Sequence, residues 1–167
     1  DVSLSEVSDQ LDRLAEMPHV QEQRELADSL AAVEPIRRWV QQTPGLANGG
    51  RLRILDVGSG GGLPGVVIAI CCPGVKVTCV DAVSKKAAFV QQVAASLKLG
   101  NLKGIHARVE TLSGPFDVIG SRAFASLPDF VSWSRSALAE GGVWLMCCNL
   151  ADLVTLEDSS ASQYFNF

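Results

Sequence analysis

Asp56-Val57-Gly58-Ser59-Gly60-Gly61-Gly62-Leu63-Pro64-Gly65 is the stretch on which the reading of this chain turns. An apolar run (Leu52, Ile54, Leu55, Val57) leads into it and a second (Val66 to Ile70) leaves it, so it reads as a buried strand, a glycine loop and a helix. That order leaves backbone N–H groups and a helix N-terminus at the carboxyl edge of a sheet, where a ligand can approach the backbone closely. Val75 to Val80 reads as the next strand, ending on Asp81, 23 residues after Gly58. A carboxylate there can accept hydrogen bonds from both hydroxyls of a ribose. Four glycines within five positions plus the downstream acid point to a ligand site rather than a bare turn.

Two cofactor patterns fit this layout. Gly60-x-Gly62-x-x-Gly65 matches the dinucleotide fingerprint. Asp56-x-Gly58-x-Gly60-x-Gly62 matches the loop of S-adenosylmethionine-dependent methyltransferases. The position of Asp56 favours the second. A loop that began only at Gly60 would leave Asp56 inside a buried strand, where an unpaired carboxylate is costly. A strand ending near Val57 puts Asp56 at its wet carboxyl end, close to the ligand.

The 167 residues suit one domain with a single core: a helical segment over 1–47, a cofactor-binding α/β core over 51–148 and a weakly patterned tail over 149–167. Apolar residues make up 47% and charged residues 19%, with no eighteen-residue apolar run, so a soluble globular protein without a membrane span is expected. No secretory signal is visible in Asp1 to Glu6, which makes cytoplasm the expected location. The five cysteines (71, 72, 79, 147, 148) form no Cys-x-x-Cys pair, and they read as reduced, buried side chains rather than metal ligands. Net charge is −4, the wrong sign for holding nucleic acid by bulk electrostatics, so any RNA contact is local. Arg37-Arg38, Arg51 with Arg53, Lys85-Lys86, and Arg108 with Arg122 are the candidate clusters.

Leu4, Val7, Leu11 and Leu14 predict an amphipathic helix ended by Pro18. A second helical pattern runs from Val20 to Val40, with Pro35 a break or restart and Pro44-Gly45 the stop. Pro64 suits the first turn of a helix through about Ile70. Ser84 is the expected N-cap of a helix to about Leu97, closed by Gly100-Asn101. Strands are expected at Leu102 to Ala107, Phe116 to Ile119 and Val143 to Cys147, with a helix from Leu127 to Leu138 stopped by Gly141-Gly142. Alternation of this kind predicts a doubly wound, mainly parallel, Rossmann-like sheet in the order 3-2-1-4-5. In the tail, Leu150 to Leu156 is expected to be helical and Gln163 to Phe167 a strand.

The loop from Asp56 to Gly65, Val80-Asp81-Ala82-Val83-Ser84-Lys85-Lys86, Ala107-Arg108-Val109-Glu110, and the run from Phe116 through Ser121-Arg122-Ala123-Phe124-Ala125-Ser126 to Leu127 together resemble one family. It is RsmG, also called GidB, the guanine-N7 methyltransferases of bacterial 16S ribosomal RNA. The resemblance covers about residues 20 to 146, and Asp28-Ser29 matches the family's Asp-Ser pair. It implies a class I methyltransferase fold, S-adenosyl-L-methionine as cofactor, ribosomal RNA or the small ribosomal subunit as partner, and a monomer without metal. It assigns cofactor contacts to Gly58, Leu63, Val109, Glu110 and Arg122, beside the loop glycines Gly60 and Gly62 and the acids Asp56 and Asp81. Glu110 also reads as a helix-start carboxylate and Arg122 as a surface ion pair. The chain departs from the family at Arg24-Glu25, where an Arg-His pair is usual, and at Cys147-Cys148, where Lys-Gly is usual. Against the family's pattern, the leading helical segment and the closing strands are expected to be short or missing.

Guanine N7 carries an in-plane lone pair, so attack on a methyl group needs no prior loss of a proton, and alignment plus exclusion of water suffices. In keeping with this, no Asn/Asp-Pro-Pro-aromatic stretch follows the fourth strand, and neither His19 nor His106 has a partner that would make it a base. Two other readings stay open: a nicotinamide-dependent oxidoreductase, and a non-catalytic ribosome-associated domain.

Overall fold

The computed structural model describes residues 3–17, 23–42, 50–122, 125–147 and 153–157. Helices α1 (Leu4–Ala15), α2 (Gln23–Leu30) and α3 (Val33–Gln42) precede the sheet. Then come β1 (Arg53–Val57), α4 (Gly65–Cys71), β2 (Lys76–Asp81), α5 (Ser84–Ser96) and β3 (Leu102–His106). After a single 3-10 turn at Val109–Thr111 follow β4 (Phe116–Ser121), α6 (Leu127–Ser134), a second 3-10 turn at Arg135–Ala137, β5 (Leu138–Cys147) and β6 (Leu153–Glu157). The sheet order is β3-β2-β1-β4-β5-β6. β1 to β5 are parallel, as expected, and β6 adds an antiparallel edge.

Period-two alternation divides the core between the two faces of the sheet. Ile54, Val77, Val118, Val143 and Leu145 face α4, α5 and the amino-terminal helices. Leu55, Val57, Val80, Ile119, Trp144 and Met146 face Phe130 and Val131 of α6. There the Trp144 indole N–H donates to Ser134 Oγ at 3.0 Å, which satisfies a polar atom that burial would otherwise orphan. α1 begins with a capping box in which Ser3 and Glu6 satisfy each other's backbone N–H groups. At the amino end of the sheet the Asp117 carboxylate accepts from the Arg53 guanidinium at 2.8 and 3.0 Å and from the Arg53 backbone N–H at 2.8 Å, tying β1 to β4.

Several expected elements take other forms. Of the expected helix from Leu150 to Leu156, the described part is a strand: residues 153–157 pair with β5 in the register Val143↔Glu157 to Cys147↔Leu153, and residues 150–152 lie outside the described residues. Leu-Val-Thr-Leu is a short apolar run that suits either state, and the open edge of β5 decides it. The segment read as one helix from Val20 divides into α2 and α3 at Ala31-Ala32, with Pro35 the third residue of α3, where its missing N–H costs no helical bond. Ser84 is the first residue of α5 rather than its cap; Val83 holds the cap position and its N–H donates to Asp81 Oδ1 at 2.8 Å. α5 ends at Ser96, before Gly100, and the left-handed residue beyond it is Lys98 (φ 56°). α6 gives way to a 3-10 turn four residues before Leu138, and β5 begins at Leu138 itself, with Gly141 (φ 72°) inside it near a register shift opposite Phe116 and Val118. Pro18, Val20, Pro44-Gly45 and Gln163 to Phe167 lie outside the described residues.

Candidate functional site

β1 ends at Val57 and the glycine loop begins at Gly58, as the methyltransferase pattern requires and the dinucleotide fingerprint does not. Gly58, Gly60 and Gly62 have φ of 64°, 57° and 88°, backbone that residues with a Cβ rarely adopt. Bonds from three of its glycines help to hold the loop. Gly58 N–H donates to the Val80 carbonyl at 2.9 Å, Gly60 N–H to Asp81 Oδ2 at 3.1 Å, and Gly62 N–H to the Ser59 carbonyl at 2.9 Å. A Cβ on Gly62 would lie 2.6 Å from Val66 Cγ2. On Gly65 it would strike the Cys79 sulfur and lie 2.8 Å from Asp56 Oδ2, so this glycine lets α4 start directly against the sheet.

Asp56 corrects the reading of a wet strand end, since it is 1% exposed. It shares the parity of Ile54 and therefore points toward α4 beneath the glycine loop, where Oδ2 accepts the Gly65 N–H at 2.8 Å. Burial pushes its carboxyl up to about 7, against the lowering effects of the Gly65 N–H and the Arg122 guanidinium. Burial likewise pushes the neighbouring Cys79 thiol well up, with the Asp56 carboxylate adding to the shift. Among the described residues Asp56 Oδ1, Ser59 Oγ and Ser121 Oγ are buried without a hydrogen-bond partner. Ser121 stands opposite Val57 in the register, so these atoms lie around the carboxyl ends of β1 and β4.

A cavity of about 460 Å³ opens at the carboxyl ends of β1 and β2 and beneath the segment after β3. Gly58, Asp81, Ala82, Val109, Glu110 and the Trp133 ring of α6 are among its walls. Asp81, the last residue of β2, is 8% exposed and receives two backbone N–H groups, one on each oxygen. Glu110 pairs with Arg108 at 3.3 Å; its own backbone N–H and then Arg108 hold its carboxyl below the usual range. The His106 ring lies 3.1 Å from the Ala82 carbonyl, a tie between the ends of β3 and β2.

The expected residues thus divide. Gly58, Asp81, Val109 and Glu110 meet on one cavity, and Gly60 lines a second cavity. Gly62 and Leu63 are buried, Leu63 with 3% exposure, so the Leu63 side chain belongs to the core. Arg122 is half-buried directly after β4, and its charge acts on Asp56. Trp133 is not among the expected residues, and Arg108, expected only as a local RNA contact, also lines the cavity. Trp133, 39% exposed, follows the buried Phe130 by three positions and stands beside it at the edge of the packed side of α6, a placement that only the packing of α6 reveals. Cys71, Cys72 and Cys79 are buried free thiols. The side chains of Arg24, Glu25 and Cys147, and all of Cys148 and His19, lie outside the described residues. Among the described residues no three His, Cys, Asp or Glu side chains converge as metal ligands, and no helix is long and apolar enough to cross a membrane.

A family described as rRNA small subunit methyltransferase G (GidB) matches residues 11–163 of the chain. The chain is 67% identical over 124 residues to the ribosomal RNA small subunit methyltransferase G of Paracidovorax citrulli (strain AAC00-1), an overlap of 72% of this chain and 51% of that protein. It is also 67% identical over 122 residues to the protein of the same name from Acidovorax sp. (strain JS42), covering 72% and 54%. The chain spans about half the length of the curated relatives it matches. Among solved structures it resembles the CurJ carbon methyltransferase (TM-score 0.58, 20% identity, 71% of this chain and 34% of that one). It also resembles a SAM-dependent methyltransferase from Thiobacillus denitrificans in complex with S-adenosyl-L-homocysteine (TM-score 0.54, 19% identity, 87% and 55%). At these identities the likeness is one of fold: the doubly wound Rossmann-like sheet expected from the alternation of strands and helices, in the class I methyltransferase form that the family resemblance implies.

Proposed function

Because the chain belongs to the rRNA small subunit methyltransferase G (GidB) family, we propose that it binds S-adenosyl-L-methionine at the carboxyl edge of the sheet and methylates N7 of a guanine in small-subunit (16S) ribosomal RNA. The observation that carries this is the convergence of Gly58, Asp81, Val109 and Glu110 on one cavity, from three separate segments of the chain. The residues present fit the cofactor. Asp81 retains free lone pairs beside the two N–H groups it accepts, enough for ribose hydroxyls. Ala82 and Val109 offer apolar contact to an adenine, and Glu110 an acceptor for its exocyclic amine. Asp56 Oδ1 is a buried acceptor without a donor among the described residues, matched to an ammonium group.

When bound, the cofactor supplies an electrophilic methyl group on a sulfonium sulfur. The task left to the protein is orientation and exclusion of water, since N7 needs no general base. Arg122, after β4 and beside Asp56, serves by pairing with a carboxylate or a phosphate. We place the activity in the cytoplasm, with ribosomal RNA or the small subunit as partner and the chain acting as a monomer through one domain.

Titration calorimetry with S-adenosylhomocysteine and with a nicotinamide dinucleotide tests the cofactor, and transfer of labelled methyl to small-subunit RNA tests the reaction. Binding of the dinucleotide alone would revive the oxidoreductase reading. Binding of S-adenosylhomocysteine without transfer would favour the non-catalytic one.

A further inference from the structure

Several of the arginines are already engaged. Arg38 pairs with Glu34 at 2.9 Å, Arg53 with Asp117 at 2.8 Å and Arg108 with Glu110 at 3.3 Å, while Arg37 donates to the Cys71 carbonyl at 2.9 Å. Lys85 and Lys86 are exposed, and, as with Lys76, Lys98 and Lys103, no carboxylate among the described residues lies within ion-pair distance of either. They stand in the first turn of α5, which holds no acidic residue, at the helix end where the backbone dipole disfavours cations. Stability of α5 therefore gives no reason for them.

The space in front of them does. Val83, Lys85, Lys86 and Phe89 line one side of a cavity of about 440 Å³, and Gly60 and Gly61 line the other. Phe89 follows Lys86 by three positions and Lys85 by four, so the ring and both ammonium stems share a helix face. Gly58, at the start of the same loop, lines the cavity that holds Asp81 and Glu110. An occupant of the Lys85–Lys86 cavity would thus meet the same glycine loop that lines the proposed site of the methyl donor, two residues further along.

We propose that this second cavity is a subsite for single-stranded RNA flanking the target guanine, with one unstacked base against Phe89 and Val83 and the adjoining phosphates on Lys85 and Lys86. The inference rests on the ribosomal RNA reading above. A base against an aromatic ring with cations on the neighbouring phosphates is how single strands are held without a broad basic surface. The volume lies within the range of about 300–1,000 Å³ that takes a small organic group. Charge complementarity points the same way: in a chain of net charge −4, attraction for phosphate has to come from local cations not already paired.

Fluorescence anisotropy of a labelled single-stranded RNA dodecamer against the full chain, across a salt series, tests the assignment alongside S-adenosylhomocysteine calorimetry. Lys85→Ala/Lys86→Ala should lower the slope of log affinity against log salt by about 1.4, from about 0.7 per phosphate on a single strand. Phe89→Leu, which keeps an apolar side chain in place, should weaken binding at least about fivefold with the slope unchanged. The same change of charge in Lys76→Ala/Lys103→Ala, at exposed positions near the starts of β2 and β3, should leave both unaffected. Equal effects of the two double variants, or no RNA binding by the unaltered chain, overturn the subsite. So does a parallel loss of S-adenosylhomocysteine affinity in Lys85→Ala/Lys86→Ala, which would give the cavity to the cofactor. Failure of the unaltered chain to methylate small-subunit RNA while it binds the dodecamer refutes the reaction instead, and the anisotropy still decides the subsite.

Discussion

Replacing Asp81 with alanine should separate cofactor binding from folding more cleanly than any other single change. The carboxylate spans the site, taking Val83 N–H on one oxygen at 2.8 Å and Gly60 N–H on the other at 3.1 Å, and it lines the proposed cofactor cavity. In the absence of ligand the two backbone donors can turn to water, because Val83 is exposed and Gly60 is half-buried. The loss of stability should therefore fall at the low end for bonds to a charged group, about 1–2 kcal/mol. In a chain of this length that is a fall in Tm of about 2–8 °C. With cofactor bound, the ribose hydroxyls lose their acceptor in an enclosed site, where about 1.5–3 kcal/mol is at stake, or about tenfold to a hundredfold in affinity. Calorimetric titration with S-adenosylhomocysteine and thermal melting by circular dichroism read the two effects separately. Asp81→Asn retains one acceptor oxygen and should recover part of both. An Asp81→Ala protein that melts within this range and binds S-adenosylhomocysteine within twofold of the unaltered chain would refute the site assignment.

Four further outcomes are expected. Gly65→Ala, whose Cβ meets the Cys79 sulfur and Asp56, should destabilise the chain by about 1–3 kcal/mol in urea unfolding. Asp56 holds its proton to about pH 7 when folded but only to about 4 when unfolded, so the unfolded chain binds fewer protons between those values and stability falls as pH rises through that window. Urea unfolding from pH 4 to 7.5 should show that fall in the unaltered chain and a flatter profile in Asp56→Asn. Arg122→Ala should slow single-turnover methylation at least about tenfold, as loss of a charge-assisted contact implies, with a smaller effect on melting; a collapsed Tm with normal activity per folded molecule would make Arg122 structural. With bound substrates the methyl-transfer rate should be nearly flat from mildly acidic to mildly basic pH, and a bell-shaped profile in single-turnover kinetics would require a general acid or base.

The sheet and its glycine-loop edge are legible because their signals are local. Val57-Gly58 marks where β1 stops, and Asp81 closes β2. The burial of Asp56 does not follow from its place near the strand end: two-residue alternation puts it on the α4 face with Ile54, away from solvent. The cap of α5 was misplaced at Ser84 because the acceptor comes from Asp81, a residue whose position is set by β2 rather than by the helix. β6 was beyond reach for a different reason: five residues cannot distinguish strand from helix until β5 offers them an edge. Trp133 and the Lys85–Lys86 cavity depend on how α6 and α5 lie against the loops, and nothing in the spacing of those residues declares it.

The central claim is methyl transfer to guanine N7, and the product nucleoside reports on it directly. Small ribosomal subunits and their extracted RNA are incubated with the chain and trideuteromethyl-labelled S-adenosylmethionine, digested to nucleosides and analysed by mass spectrometry. The account predicts label in 7-methylguanosine alone. Label in a ribose or an exocyclic amine, or no label from a chain that binds S-adenosylhomocysteine, would contradict it.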